Sequence, residues 1–176
     1  MIYKVVHNIE KCVGCKECVK ACSRGHNGVS NCAILEVDGK FGYFSCLQCA
    51  KPNCVSACPV GALEKKKGKF LDKILDKPAP EGDHIFFHRD LCIGCRCCTE
   101  ACPWGVPKFN PNTGKIEKCD LCFDRVKEGK LPYCVEACPE GALELKVVPP
   151  KPAKKKPAKT EAKGKKEETK SAEGAK

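Results

Sequence analysis

The sequence predicts an α+β fold of short antiparallel hairpins and short helices, rich in loops and followed by a disordered C-terminal tail. Three observations carry that expectation. Eighteen cysteines stand among 176 residues, about 10%, a density that ordinary folded chains do not carry, so cross-links or metal must replace part of a conventional apolar core. Strand-like runs flank the cysteine groups, "IYKVV" and "HIFFH" before them and "GALEKK" and "GALELKVV" after them. From Pro149 onward the chain becomes "PPKPAKKKPAKTEAKGKKEETKSAEGAK", too poor in large apolar residues to offset the entropy of folding.

The cysteines fall into four groups of four: Cys12, Cys15, Cys18 and Cys22; Cys46, Cys49, Cys54 and Cys58; Cys92, Cys95, Cys98 and Cys102; Cys119, Cys122, Cys134 and Cys138. Each group opens with two cysteines separated by two residues and closes with one that follows its predecessor after three, an internal repeat legible from spacing alone. Cys32 and Cys97 are left over. The N-terminal "MIYKVVHNIEKC" reaches its first charge at Lys4, and no stretch approaches the roughly 18 to 20 apolar residues of a membrane span. The expected setting is therefore a reducing, cytoplasmic one, where close-set cysteines hold metal rather than pair as disulfides.

Thiolates are soft anionic ligands suited to iron-sulfur clusters, and a loop with two residues between cysteines wraps one face of a compact cluster. In the pattern C-x2-C-x2-C-x3-C-P three ligands arrive locally, while the fourth begins a short helix and serves the other cluster of a pair. Groups one and three have this spacing. Pro59, Pro103 and Pro139 follow the last cysteine of the other three groups, fixing the backbone where a missing N–H is tolerable; group one has Ser23 there. A disulfide framework would be unusually dense for a chain without an export signal. Zinc is the stronger rival, since C-x2-C followed by another close pair is how zinc ribbons read, and group four with its long gap suits zinc best. Four clusters predict about sixteen iron atoms per chain and no stoichiometric zinc.

Gly14 and Gly94 are expected at positive φ, turning N–H groups toward sulfur. Trp104 and Phe109 are expected to shield a cluster from water rather than relay electrons. Cys98, not Cys97, keeps the intervals from Cys95 and to Cys102, and Cys32 has no cysteine at ligand spacing, so neither Cys97 nor Cys32 is expected as a ligand. His7, His26, His84 and His88 show no metal-like grouping and read as surface or packing residues. Between groups two and three, "EKKKGKFLDKILDKPAPEGD" is punctuated by Pro78, Pro80 and Gly82. Its Phe70, Leu71, Ile74 and Leu75 form an amphipathic segment that either docks on a partner or caps its own cluster.

"CVGCKECVKAC", "CLQCAKPNCVSACPVGAL", "CIGCRCCTEACPWGVPKF" and "KCDLCFDRVKEGKLPYCVEACPEGAL" resemble, in order, the four motifs of the ferredoxin-like, four-cluster electron-transfer subunits found beside molybdenum or tungsten oxidoreductases. Formate dehydrogenase, nitrate reductase and dimethyl sulfoxide reductase complexes have such beta subunits, and related small chains serve hydrogenases, carbon monoxide dehydrogenases and tungsten aldehyde oxidoreductases. In that resemblance the "FDRVKEGKLPY" insertion of group four is the family's own variant. A two-cluster module closes by pairing the strand before its first motif with the strand after its second. The flanking runs allow a nested order, one with four and two with three, or a sequential order. The family implies the nested one. Four 4Fe-4S clusters would then be held by Cys12, Cys15, Cys18 and Cys138; by Cys119, Cys122, Cys134 and Cys22; by Cys46, Cys49, Cys54 and Cys102; and by Cys92, Cys95, Cys98 and Cys58. The chain divides into a four-cluster domain of two intertwined modules, residues 1–148, and a basic tail rich in Lys, Ala, Pro and Glu, residues 149–176.

The function that the resemblance implies is non-catalytic: electrons pass through the clusters between a catalytic oxidoreductase subunit and a second redox partner in anaerobic metabolism. The residues agree, because no general-base pair, no nucleophile with an orienting base and no phosphate-binding glycine loop is visible. A free-standing soluble polyferredoxin, or an enzyme with an open cluster coordination site, are the competing classes. Residues 147–176 hold ten lysines and four glutamates, +6 of the chain's formal +10, and leave +4 for the rest. Four oxidised clusters at about −2 each would bring that folded part to about −4. No aromatic platform accompanies the tail, so a solvated tail or a tether to an acidic partner is expected rather than nucleic-acid binding. Subunits of this family are also exported already folded beside a partner bearing a twin-arginine signal, which leaves the periplasm open beside the cytoplasm.

Overall fold

The computed structural model describes residues 2–69, 74 and 81–149. Each half of the chain runs through the same series of elements. The first contains β1 (Ile2–His7), helix α1 (Glu17–Gly25), β2 (Cys32–Val37), β3 (Lys40–Ser45), the one-turn helix α2 (Asn53–Ser56) and β4 (Leu63–Gly68). The second contains β5 (Gly82–Phe87), α3 (Cys97–Ala101), β6 (Lys108–Asn110), β7 (Lys115–Glu117), α4 (Phe123–Lys127), α5 (Tyr133–Glu136) and β8 (Leu143–Val148). Helix α4 is the addition, folded from the long gap in group four. The architecture is the expected α+β one.

Side-chain alternation makes the strands. In β8 Leu143 and Leu145 are buried while Glu144 and Lys146 face solvent, the period of two that a half-buried strand requires. The hairpin β2–β3 closes through Asp38 and Gly39, at φ 51 and 72; two left-handed residues form the turn whose twist matches the flanking strands. The hairpin β6–β7 closes through residues 111–114, where the Asn110 carbonyl accepts the Gly114 N–H at 2.9 Å and the Asn110 side chain accepts the Asn112 N–H at 3.0 Å.

The main sheet has the order β4-β5-β1-β8. Strands β1 and β8 are antiparallel from Ile2↔Val148 to His7↔Leu143, and β4 and β5 are antiparallel from Leu63↔Phe87 to Gly68↔Gly82. The two pairs meet in one parallel register, Ile2↔Asp83. The strand before group one thus lies against the strand after group four, and the strand after group two against the strand before group three. Helices follow suit, α1 packing on α5 and α2 on α3. The buried Tyr3 hydroxyl donates to the Gly68 carbonyl at 2.7 Å and ties one strand pair to the other.

Among the described residues, three small cores support this sheet, and each contains cysteines: Tyr3, Leu121, Val126 and Leu145 with Cys119; Leu143 with Cys18, Cys22, Cys32 and Cys134; Leu63, Ile85 and Ile116 with Cys98. Packing and ligation therefore share the same residues, so that metal binding and folding are coupled. Ile74 packs against the first core, a contact with its own chain. Phe70, Leu71 and Leu75 lie outside the described residues, as does the tail beyond Pro149. Among the described residues no helix is long and apolar enough to cross a membrane.

Candidate iron-sulfur centres

All four cysteine loops turn through a left-handed residue immediately before their second cysteine: Gly14 at φ 70, Gln48 at 49, Gly94 at 71 and Leu121 at 64. Glycine takes this conformation without steric cost, as expected at Gly14 and Gly94. Gln48 and Leu121 carry no such signal in the sequence, and burial holds them there. Gln48 is 0% exposed; its carboxamide accepts the Ile85 N–H at 2.7 Å and donates to the Cys119 carbonyl at 3.1 Å. Lys16 and Arg96, after the second cysteine, are left-handed too and start α1 and α3. The last two cysteines of every group are four residues apart, one helical turn and about 6 Å along the axis. In group one both lie on α1, whereas Cys58, Cys102 and Cys138 follow the ends of their short helices, where the chain leaves the helix and can turn the last sulfur toward a second site.

The structure brings the sixteen cysteines together in sets drawn from paired groups. Cys12, Cys15, Cys18 and Cys138 line a small recess together with Val13, Ile34 and Leu143. Cys58, Cys92, Cys95 and Cys98 line another together with Val60, Leu63 and Ile116. Both open to solvent at an exposed thiol, Cys15 in one and Cys95 in the other. Two further sets lie between. Burial pushes the Cys54 thiol up to about 11, and the neighbouring Cys46, Cys102 and Cys49 add to it. Burial pushes Cys122 up to about 12 with help from Cys134 and Cys22, and Cys134 up to about 11 with help from Cys22. Cys119 is raised well above the ordinary thiol range by burial first, then by Cys46 and Cys134. Cys46 and Cys119 thus bring the two inner sets side by side.

Clustered sulfurs in apolar surroundings keep their protons until a cation compensates the thiolate charge. Four soft donors per set fit iron-sulfur clusters, and the surrounding donors fit as well. The Asn31, Ala62 and Ala142 N–H groups donate to the sulfurs of Cys22, Cys58 and Cys138 at 3.2, 3.2 and 3.3 Å. The Tyr43 hydroxyl donates to Cys134 Sγ at 3.4 Å, and His26 Nε2 lies 3.4 Å from Cys122 Sγ.

Among the single residues, His26 stands differently from its sequence reading. His26 is more than a packing residue, since its ligand atom, with those of Asp120 and Cys122, lies in a group spanning 4.8 Å. Partners 96 residues apart leave no local spacing that could have exposed it. His84 is buried and stacked on Phe123 with centroids 5.2 Å apart; desolvation, followed by the nearby Lys118 and Lys66 charges, pushes it down to about 4. His88 meets Glu64 at 2.8 Å, and His7 Nδ1 accepts the Tyr43 N–H at 3.4 Å. Cys32 is a packed thiol, its Sγ 3.7 Å from the Cys18 carbonyl, whereas Cys97 is exposed with Sγ 3.9 Å from the Cys95 carbonyl. Trp104, expected as a shield, is 53% exposed and leans on Phe44, and Phe109 lies under the Arg96 guanidinium at 3.9 Å.

Fold and site define an iron-sulfur electron-transfer protein. Residues 37–148 match a 4Fe-4S dicluster domain family, and residues 4–68 match a second family of the same description. The chain belongs to the 4Fe-4S dicluster family. It is 38% identical over 154 residues to the B subunit of anaerobic dimethyl sulfoxide reductase from Escherichia coli (strain K12), covering 77% of this chain and 68% of that one. To the Haemophilus influenzae protein of the same name it is 33% identical over 163 residues, covering 81% and 73%. With the hydrogenase-2 operon protein HybA of Escherichia coli O157:H7 it shares 41% identity over 104 residues, 56% of this chain but 28% of that protein. The protein is an iron-sulfur electron-transfer protein of this family.

Proposed function

We propose that the chain conducts electrons through four 4Fe-4S clusters, held by the nested sets Cys12, Cys15, Cys18 and Cys138; Cys22, Cys119, Cys122 and Cys134; Cys46, Cys49, Cys54 and Cys102; and Cys58, Cys92, Cys95 and Cys98. The observation that carries this reading is the pairing of β1 with β8 and of β4 with β5 around four converging sets of thiols. Each cluster, when bound, takes up and releases one electron. Residues 1–148 form one domain of two intertwined modules, joined where Cys46 meets Cys119. The file runs from the recess at exposed Cys15 to the recess at exposed Cys95. Val13 and Ile93, 59% and 65% exposed, stand beside these thiols and give both ends an apolar skin for a redox partner.

One partner is a catalytic subunit, and a molybdenum or tungsten pterin enzyme is favoured because B subunits of dimethyl sulfoxide reductase stand among the similar proteins over most of the length. A hydrogenase is the alternative, supported by the match to HybA over a shorter span. Clusters are inserted where thiols are kept reduced, so the cytoplasm is the proposed site of loading, and work there or, after export with a signal-bearing partner, in the periplasm follows. Anaerobic purification of the untagged complex tests the whole reading. About sixteen irons and as many sulfides per chain, with a co-purifying subunit that carries molybdenum or tungsten, are expected. Stoichiometric zinc sinks the four-cluster assignment, nickel in the partner selects the hydrogenase, and a lone monomer favours a mobile carrier.

A further inference from the structure

Lys118 is 2% exposed. Its ammonium donates to the Ile85 carbonyl at 2.8 Å and to the Cys119 carbonyl at 2.7 Å. Among the described residues no carboxylate reaches it: Glu117 is neutralised by Arg89, Asp83 pairs with Lys65 at 2.7 Å, and Asp120 accepts the Cys122 N–H at 2.9 Å. A buried cation without a carboxylate is costly unless another negative group supplies the compensation. Lys118 sits at the seam between the strand pairs, where Gln48 also links Ile85 to Cys119. The Lys118 ammonium and the carboxamide of Gln48, the residue before Cys49, donate to the same Cys119 carbonyl, which sets the cation beside the loop that carries Cys46 and Cys49. Neighbouring His84 is held neutral by burial and by this same cation.

Resting on the four-cluster reading above, we propose that Lys118 is a positioning charge that raises the reduction potential of the inner cluster held by Cys46, Cys49, Cys54 and Cys102. Reduction adds one electron, and so one negative charge, to that cluster without bond cleavage. A fixed cation in a poorly solvated seam stabilises the more negative form more strongly than the oxidised one. The cluster beside it becomes the favoured resting place for an electron crossing between modules.

The test uses the full chain, loaded anaerobically, reduced stepwise with dithionite and followed by electron paramagnetic resonance. Lys118→Met and Lys118→Gln remove the charge, whereas Lys118→Arg keeps it. The neutral variants are expected to shift the reduction equilibrium of one cluster tenfold or more toward the oxidised form, a fall of at least about 59 mV for a one-electron couple. The arginine variant should restore it, and the affected signal should be the one that Cys54→Ser alters. Unchanged potentials in a neutral variant carrying all four clusters overturn the proposal, as do equal shifts at all four. Loss of a cluster from both neutral variants assigns Lys118 to assembly and overturns it equally. Wild-type iron far below about sixteen atoms instead overturns the four-cluster reading, a separate result obtained before any variant is compared.

Discussion

Replacing Gly94 by alanine separates a backbone requirement from a merely crowded position, with Gly14→Ala as its internal control. Both residues precede the second cysteine of their loop at nearly the same φ, 71 and 70, so a side chain costs each about 1–2 kcal/mol for the left-handed conformation. Their surroundings differ. A Cβ on Gly14 would fall 2.6 Å from the Phe41 ring, a half-buried side chain that can swing aside. A Cβ on Gly94 would collide more closely still with the Gly114 carbonyl oxygen, part of the β6–β7 turn. Backbone cannot yield so cheaply, and overpacking of this kind costs about 1–3 kcal/mol more. Gly94→Ala should therefore lose about 2–5 kcal/mol and Gly14→Ala about 1–2. Cluster bleaching in guanidinium, followed anaerobically by visible absorbance, should be at least roughly fivefold faster in Gly94→Ala than in Gly14→Ala. Equal rates would refute the role of the Gly114 carbonyl, and wild-type rates in both would refute the conformational argument as well.

Cys138→Ser should abolish or shift one cluster signal, that of the set containing Cys12, Cys15 and Cys18, because a hard hydroxyl replaces a soft thiolate poorly. Electron delivery should fall while the partner still turns over with an artificial dye, and undiminished delivery would remove Cys138 from the path. Tyr43→Phe deletes the hydroxyl 3.4 Å from Cys134 Sγ and should lower that cluster's potential by about 20–60 mV, the part of a charge-assisted hydrogen bond that grows on reduction; a titration that superimposes on wild type would dismiss the contact. His84, pushed down to about 4 from its ordinary 6.5, takes up a proton on unfolding anywhere between those values. Its contribution to stability is thus complete above about pH 6.5 and is lost as pH falls toward 4. Comparing chemical unfolding at pH 7.5 and pH 5 should show His84→Gln losing less than wild type, a difference on the order of 1–3 kcal/mol; parallel losses would argue against a buried neutral imidazole.

The spacing of candidate cluster ligands was legible in the sequence alone, because ligand type and loop spacing are local properties. Cys12, Cys15 and Cys18 lie within seven residues of one another, and so do Cys92, Cys95 and Cys98; a short loop with glycine at its left-handed corner can gather three thiols at one site whatever the remainder of the chain does. Strand runs at 2–6 and 84–88 were legible for the same reason, since apolar and β-branched residues favour extended backbone on their own account. Strand partners were not, because nested and sequential pairing satisfy the hydrogen bonds of β1 and β5 equally well. Contacts such as Ile2↔Val148, which join residues at opposite ends of the described chain, decided between them. Gln48 and Leu121 carry no local mark of the left-handed conformation that their loops impose; burial and the bonds of Gln48 to Ile85 and Cys119 enforce it. His26, Tyr43 and Lys118 likewise acquire their meaning from sulfurs and carbonyls distant in the chain, because the field and hydrogen bonds around a cluster depend on proximity in space, and only the folded chain creates it.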